Sequence, residues 1–477
     1  MKFKQKNKRV FIILVYLLVL VLQSKAQTNM VFYPIENQIN SPNLNPAFLT
    51  SQSKYTLGIF PLSGINVGYN DQLVIKNMLT NMLNGSQTND NFREVFNSMV
   101  KIDLFYQRME NNIITLGYNS ALGSFDFRIK ENMQLMTDVK GEFSEFLTNT
   151  SPLSISINKS QIFPALALHY REFSLGYAKE IIKEKLSVGV RAKVYFGKAS
   201  MLSEVKGVVI QKNTDFYLQT HDKLKLSVPV DIVADADGLL RTVTLNDNFS
   251  IGDYLMDSRN MGVGFDIGFN YKLTPDLFLS ASVVDVGSIK WNSNLNNMTF
   301  NGEYQFPQNF IVSSGNGILT KNQDFSSETV DFPELYKIKV DESSYSTRLP
   351  ITFYAGLKYR FDPKLNISLV DRYISTKFMS FNSLSATGIY DVKRNLAIST
   401  GYSILGKSYN NIPFAILLTG NTGQYYIGTD NLLSLVVPSS AEFSGITFGM
   451  CFFLFKKKTR YKEQLEYLPF YKEKKRK

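Results

Sequence analysis

Apolar and polar residues alternate one for one over long stretches of this chain, and the longest clean run lies between Leu186 and Gly197. Leu186, Val188, Val190, Ala192, Val194 and Phe196 are apolar, and Ser187, Gly189, Arg191, Lys193, Tyr195 and Gly197 between them are small or carry polar groups. Successive side chains on a strand point to opposite faces, so the run predicts a strand with one wholly apolar face. Soluble strands average about five or six residues, whereas a tilted strand crossing a bilayer needs about 9–11. The residues Phe173 to Ala178 alternate too, and the charged Lys183-Glu184-Lys185 between the two runs predicts a hairpin.

The same unit recurs. Tyr271 to Ser280, Tyr359 to Ser368 and Tyr390 to Ser399 each carry an aromatic at a strand end, a short charged or Pro-containing turn, and an apolar-x-apolar-Ser return. In the flanking strands Val263, Phe265, Ile267, Phe269 and Tyr271 share a face against Gly264, Asp266, Gly268, Asn270 and Lys272. Ile351, Phe353, Ala355, Leu357 and Tyr359 share another, against Thr352, Tyr354, Gly356, Lys358 and Arg360. Apolar-out, polar-in strands of this length predict an all-β protein, an antiparallel transmembrane β-barrel. A soluble β-sandwich alternates as well, so the start of the chain matters.

Residues 1–26 read as a secretory signal. Lys2, Lys4, Lys6, Lys8 and Arg9 form a basic region, Val10 to Leu22 is unbroken apolar sequence, and Ser24-Lys25-Ala26 offers small residues for cleavage before Gln27. The apolar run is too short for a comfortable membrane helix, and no other stretch approaches one. A chain exported without membrane helices, yet with membrane-length strands, is expected in the outer membrane of a Gram-negative envelope, where a closed barrel satisfies every backbone group.

Net charge first suggests nucleic acid and then withdraws it. The formal charge is +11, but the signal holds six basic residues and residues 456–477 hold ten basic against three acidic, which leaves 27–455 near −2. A folded body without basic excess is not a nucleic-acid binder. Aromatic residues make up 13% of the chain, as interfacial girdles require. The single Cys451 rules out an intramolecular disulfide.

Between the signal and the first alternating run at Tyr55, the chain is rich in Asn and Pro and contains Asn45-Pro46-Ala47. In this position the tripeptide resembles the N-terminal hatch of the FadL-type outer-membrane transporters, shared with barrel proteins of type IX secretion and gliding. Asn-Leu-Asn-Pro-Ala-Phe at 43–48, the hairpin at 175–197 and Val284 to Trp291 together resemble an uncharacterised outer-membrane domain family of this FadL/PorV-like superfamily. The resemblance covers nearly the whole mature chain. It implies a barrel of about fourteen strands, a hatch at 27–50 that includes Asn45, Pro46 and Ala47, and passage of hydrophobic or small amphipathic molecules that leave through a gap in the wall. The alternative is a non-transport envelope component, a barrel anchor or accessory partner of a secretion or gliding assembly.

The barrel is expected over 51–455. Short turns near 183–185, 273–276, 362–364 and 391–394 face long connections near 198–261 and 288–350, and short turns are periplasmic in bacterial barrels. The long inserts are therefore expected to cap the outer face. Helical spacing predicts helices over Gln72 to Leu83, again after Asp90, and over Glu131 to Leu147. In the last strand, from Phe443 to Phe455, Cys451 falls on the inward face. Its apolar, aromatic end resembles the signal read by barrel-insertion machinery. The basic tail at 456–477, with aromatics among its charges, is expected in the periplasm, where it is either a solvated charge run or a docking segment for a periplasmic protein.

Catalytic chemistry is hard to find. His169 and His221 are the two histidines, with no pair at metal-ligand spacing, and Asp235-Ala-Asp237 lacks the terminal Glu of a calcium loop. No catalytic residue, metal or cofactor is expected; an enzyme would have to use His169 or His221. If molecules pass, the expected lumen-lining groups are Arg191, Lys193, Asp266, Lys272, Lys358 and Arg360, whose opposite signs predict pairing across a filled lumen.

Overall fold

The computed structural model describes residues 30–454, apart from 61–62, 71–104, 138–159, 162–164, 213–214, 235–239, 247–248, 306–311, 314–317, 320–336, 379, 407 and 437–442. The signal peptide, the helices expected from Gln72 and Asp90, Asp235 and Asp237, and the tail at 456–477 lie outside the described residues.

Period-two sequence becomes a closed antiparallel barrel of 14 strands. The first stave is built in two pieces, Tyr55–Ile59 and Ile65–Asn70. Phe105–Ser120, Gly123–Thr137, Ala165–Ile182, Leu186–Lys212, Asn260–Lys272 and Leu277–Trp291 follow, each paired to the one before. Ile351–Arg360, Leu365–Ser375, Ser380–Lys393, Leu396–Leu405, Phe414–Thr419, Gly423–Thr429 and Phe443–Leu454 complete the circuit. The last strand closes on both pieces of the first, Tyr55 opposite Leu454 and Ile65 opposite Phe448. Closure leaves no edge, so every stave has its backbone paired on both sides.

The two faces separate as the alternation requires. Leu175, Val194, Val263, Phe265, Leu357, Ile367 and Phe452 are exposed on the outside, where lipid rather than water is the matching medium. Tyr118, Tyr359, Tyr390 and Tyr425, each exposed and close to the short-turn end of its strand, form an aromatic belt there. Inward positions are polar or small: Ser187, Arg191 and Lys193 on one strand, Ser383, Ser385 and Thr387 on another, are all buried.

One expected helix is corrected. Glu131 to Thr137 continues the strand Gly123–Thr137, with Asn132, Gln134 and Met136 buried and the residues between them half-buried. Paired Met and Leu positions fit either period over so short a window, and pairing on both sides decides for the strand; the rest of that segment lies outside the described residues.

The long inserts meet above the long-loop end. Leu186–Lys212 runs beyond the wall and turns into Asp215–Ser227, which pairs with Asn297–Gln305 of the second insert, itself paired with Lys337–Asp341. Beneath this sheet Tyr106, Tyr170, Tyr195, Trp291 and Tyr345 pack into one buried cluster with Met136, Leu166, Leu168 and Leu202. Trp291 Nε1 donates to Thr347 Oγ1 at 2.9 Å, which satisfies its one donor inside the cluster.

Candidate functional site

The strand Leu186–Lys212 serves as a ruler along the lumen, because its inward residues are spaced by about 6.6 Å, two steps of about 3.3 Å. Gly189 meets the plug, Arg191 and Lys193 meet a layer of charges, and Tyr195 and Gly197 meet the aromatic cluster.

The plug is the N-terminal segment from Met30 to Ser51, folded as three short 3-10 helices, Met30–Phe32, Ser41–Asn43 and Pro46–Ser51. Asn45 caps the last of these: its Oδ1 accepts from Ala47 N at 3.0 Å, and Pro46 occupies the first helical position, where no amide is needed. The Asn45 Nδ2 donates to the wall at Phe269 O, 3.0 Å, and Ala281 O, 3.3 Å. Ser282 Oγ donates to Leu44 O at 2.5 Å. Close approach demands small wall residues. A Cβ on Gly189 would lie 2.3 Å from the Pro46 carbonyl carbon, and one on Gly268 would lie 2.2 Å from Asn45 Oδ1. Tyr33 stacks on Tyr354 with ring centroids 5.0 Å apart, and Phe32 meets Tyr426 edge-on. The segment begins at Asp430, whose carboxylate accepts the Met30 and Val31 amides at 3.2 and 2.9 Å.

Charges lie over the plug and grip it. Asp126 is shared by Arg128 at 2.5 Å and Arg191 at 2.7 Å. Those guanidiniums reach plug carbonyls, Arg128 Nη2 to Ile39 O at 2.9 Å and Arg191 Nη1 to Pro42 O at 2.6 Å. Lys193 sits between Asp266 at 2.7 Å and Asp285 at 2.6 Å, Lys130 pairs with Glu172 at 3.2 Å, and Arg108 bridges Glu110 and Asp285. Asp285 reaches this layer through a bulge. Pairing passes from Phe265–Val286 to Ile267–Val283, one extra residue, and Asp285 takes φ 64°. Its amide is held by Asp266 Oδ1 at 2.8 Å. A non-glycine residue in this region costs backbone strain, which the surrounding ion pairs hold in place.

Of the groups expected to line the lumen, Arg191, Lys193 and Asp266 stand in this layer. Lys358 instead pairs with Glu36 of the plug, whose other oxygen accepts from Asn270 Nδ2 at 3.1 Å. Lys272, Lys358 and Arg360 gather at the short-turn rim around the Phe278 ring, with centroid distances of 5.9, 5.1 and 5.5 Å. Asp126, Arg128, Lys130, Glu172 and Asp285 were missed. Their signal was present in Phe125-Asp126-Phe127-Arg128-Ile129-Lys130, an alternation as clean as that after Leu186.

Between plug, charges and aromatic cluster lies a small cavity of about 40 Å³. Asn43 and Leu44 of the plug form its floor, and Asn66, Arg108, Arg372 and Ile374 stand in its walls. The wall itself is interrupted beside the plug. From Ile59 to Ile65 the first stave takes six steps while its partner takes three, Ile114 to Asn111. The extra residues turn inward at Ser63 and at Gly64, φ 134°, which leaves no room for a side chain against Asn40 and Tyr426. Tyr426 accepts from Asn40 Nδ2 and donates to Ser63 O at 3.4 Å, which ties the interruption to the plug.

His169, the only histidine whose side chain is described, has the parity of the outward face on Ala165–Ile182, beside the short helix Ile251–Met256. Its Nδ1 is 2.6 Å from the Tyr254 hydroxyl, and its Nε2 is 2.9 Å from Glu131, which also binds Arg171. Acid, histidine and hydroxyl stand in line, but burial pushes the Tyr254 hydroxyl above its usual pKa, the reverse of an activated nucleophile. Among the described residues no three side chains are grouped to hold a metal ion, and no helix is long and apolar enough to cross a membrane.

Residues 46–430 match a family described as a family of unknown function, DUF5723. No curated protein matches the sequence. Solved structures with a similar fold include the toluene transporter TbuX of Ralstonia pickettii, at 10% identity over 86% of this chain and 92% of that one, TM-score 0.39. The toluene transporter TodX of Pseudomonas putida aligns at 9% identity over 87% and 93%, TM-score 0.34, and a FadL homologue of Pseudomonas aeruginosa at 10% over 87% and 93%, TM-score 0.36.

Proposed function

Because the chain belongs to the family of unknown function DUF5723, we propose its role from its lumen: an outer-membrane barrel through which hydrophobic or small amphipathic molecules pass under control of the plug. One observation carries this reading. The plug is the floor of a cavity inside the barrel, and it is held there by hydrogen bonds, ion pairs and apolar packing, all of which can be exchanged without breaking a covalent bond. The inward fold at Ser63 and Gly64 supplies a second way out, sideways between the first and last staves. Apolar outward faces and the tyrosine belt fit an outer-membrane location, with the short turns toward the periplasm. Vesicles loaded with a small impermeant-side reporter and carrying the purified protein should take up a small aromatic solute faster than empty vesicles. Removing residues 27–50 should change that rate; equal uptake with and without protein would sink the reading.

The alternative, a barrel serving as an anchor for an envelope assembly, draws on the aromatic cluster and the sheet above it, which fill part of the lumen and present a built outer surface. Retrieval of one defined partner from detergent extracts, lost when residues 456–477 are removed, would favour it.

A further inference from the structure

The outer side of the wall carries a charge cluster that bare hydrocarbon would not tolerate. Glu131, His169 and Arg171 lie on the faces of Gly123–Thr137 and Ala165–Ile182 that look away from the lumen, Glu131 directly opposite Arg171 and Met133 opposite His169. Glu131 binds His169 at 2.9 Å and Arg171 at 2.6 Å. Ionised groups turned toward lipid chains are strongly unfavourable, and these are covered. His169 is buried, and Glu131 and Arg171 are half-buried, beside the short helix Ile251–Met256. The Tyr254 hydroxyl meets His169 Nδ1 at 2.6 Å, Arg171 Nη1 lies 4.0 Å from Met256 Sδ, and the buried Lys198 donates from Nζ to Asp257 O. One side of the helix is pinned to the outside of the wall.

Its other side is apolar and open. Ile251 is 48% exposed and Met256 is 74% exposed. Through the exposed Met261 they continue into the outward row of Asn260–Lys272, which ends at Tyr271. Ten steps of about 3.3 Å at a strand tilt of about 40° give a height of about 25 Å, that of the apolar band of a membrane barrel. The helix therefore stands at one edge of the band, and the tyrosine belt stands at the other. Charge does not drive the contact. Asp257 holds Arg259 through two hydrogen bonds, at 3.0 and 2.7 Å, and Asp253 and Asp257 against Arg259 leave no positive excess over 250–259.

We infer that Ile251–Met256 is an interfacial anchor: it lies on the outer wall with the Ile251 and Met256 side chains in lipid, where headgroups meet acyl chains. The outward charges are its seat, and His169 is a positioning residue that acts through Tyr254. Continuity with the lipid-facing row selects lipid as the occupant, and the charge balance selects acyl chains rather than anionic headgroups. Passage through the lumen is not required.

The test uses the full-length protein in phosphatidylcholine vesicles with Met256→Trp as the probe; Trp291 is buried, so the parent supplies the background. Lipid brominated near the headgroup end of its chains should quench the probe about twofold more than lipid brominated near the chain ends, since such anchors enter only about 5–10 Å. Iodide should barely quench it. Ile251→Trp should report the same depth. Glu342→Trp, exposed on the outer insert, should be quenched by iodide and not by bromine. Adding phosphatidylglycerol should change nothing. Tyr254→Ala combined with Met256→Trp should erase the depth preference in a barrel that still folds on a heat-modifiability gel. A Met256→Trp probe open to iodide and untouched by bromine would overturn the inference by placing the helix in water, and one shielded from both would overturn it by placing the helix against protein. Bromine quenching that appears only with phosphatidylglycerol would overturn the acyl contact. An unchanged depth preference in the folded Tyr254→Ala form would overturn the role given to His169.

Discussion

Asn45 links the plug to itself and to two strands of the wall. It caps the helix Pro46–Ser51 with its oxygen and binds Phe269 O and Ala281 O with its nitrogen, all without exposure to solvent. Asn45→Ala removes the cap, worth about 1 kcal/mol, and leaves buried groups unpaired at about 1–3 kcal/mol. It should lower the unfolding midpoint and let proteinase K nick the plug while the barrel stays intact. Gly189 acts by having no side chain. Gly189→Val would drive its side chain into the Pro46–Ala47 backbone, so the plug should leave its seat, read as raised ion conductance from a barrel that still folds. The importance of Asn45-Pro46-Ala47 was legible in the sequence only through its resemblance to a hatch. Its partners were not, because a glycine at an inward position looks the same whether it faces water, a neighbour's side chain or a plug.

At the scale of strands, alternation gave faces correctly wherever it was followed, and a helix was expected over Glu131–Thr137 of the strand Gly123–Thr137 because Met133 and Met136 also fit a helical period. What alternation does not encode is register across the lumen. Asp126 lies on the third stave and Arg191 on the fifth, and they meet at 2.7 Å because the intervening strand Ala165–Ile182 carries Gly176 between them. Asp285 needs a bulge that no period predicts. Asp126→Asn would leave Arg128 and Arg191 buried with half their partners. Breaking such a pair costs about 3–5 kcal/mol, and here it also loosens Ile39 and Pro42. The expected result is a clear drop in unfolding midpoint together with plug sensitivity to protease, checked on the same gel. A barrel that melts as before with a protected plug would show that the layer is not what grips it.

For the whole molecule, the plug's contact with the last strand offers a reporter. Cys451 is buried in a cluster with Val31, Phe32, Ile35 and Ile39 of the plug. A water-soluble maleimide should leave the intact folded protein unmodified and label it once residues 27–50 are removed. The inward face of Cys451 was readable from the alternation of Phe443–Leu454, but its cover was not, since that depends on a segment some four hundred residues earlier in the chain. Closure into an antiparallel barrel followed from strand length and alternation. The pairing of the two inserts into one sheet did not, because neither insert carries the signal alone.

On the proposed function, residues 27–50 close a lumen that is otherwise passable. Planar-bilayer recordings of the full-length protein and of a form lacking those residues test it most directly. A plugged barrel should give near silence from the intact protein and well-resolved conductance steps from the truncated one. Equal conductance in both forms, or none in a truncated barrel shown to be folded, would contradict it and return the function to the outer sheet and the basic tail.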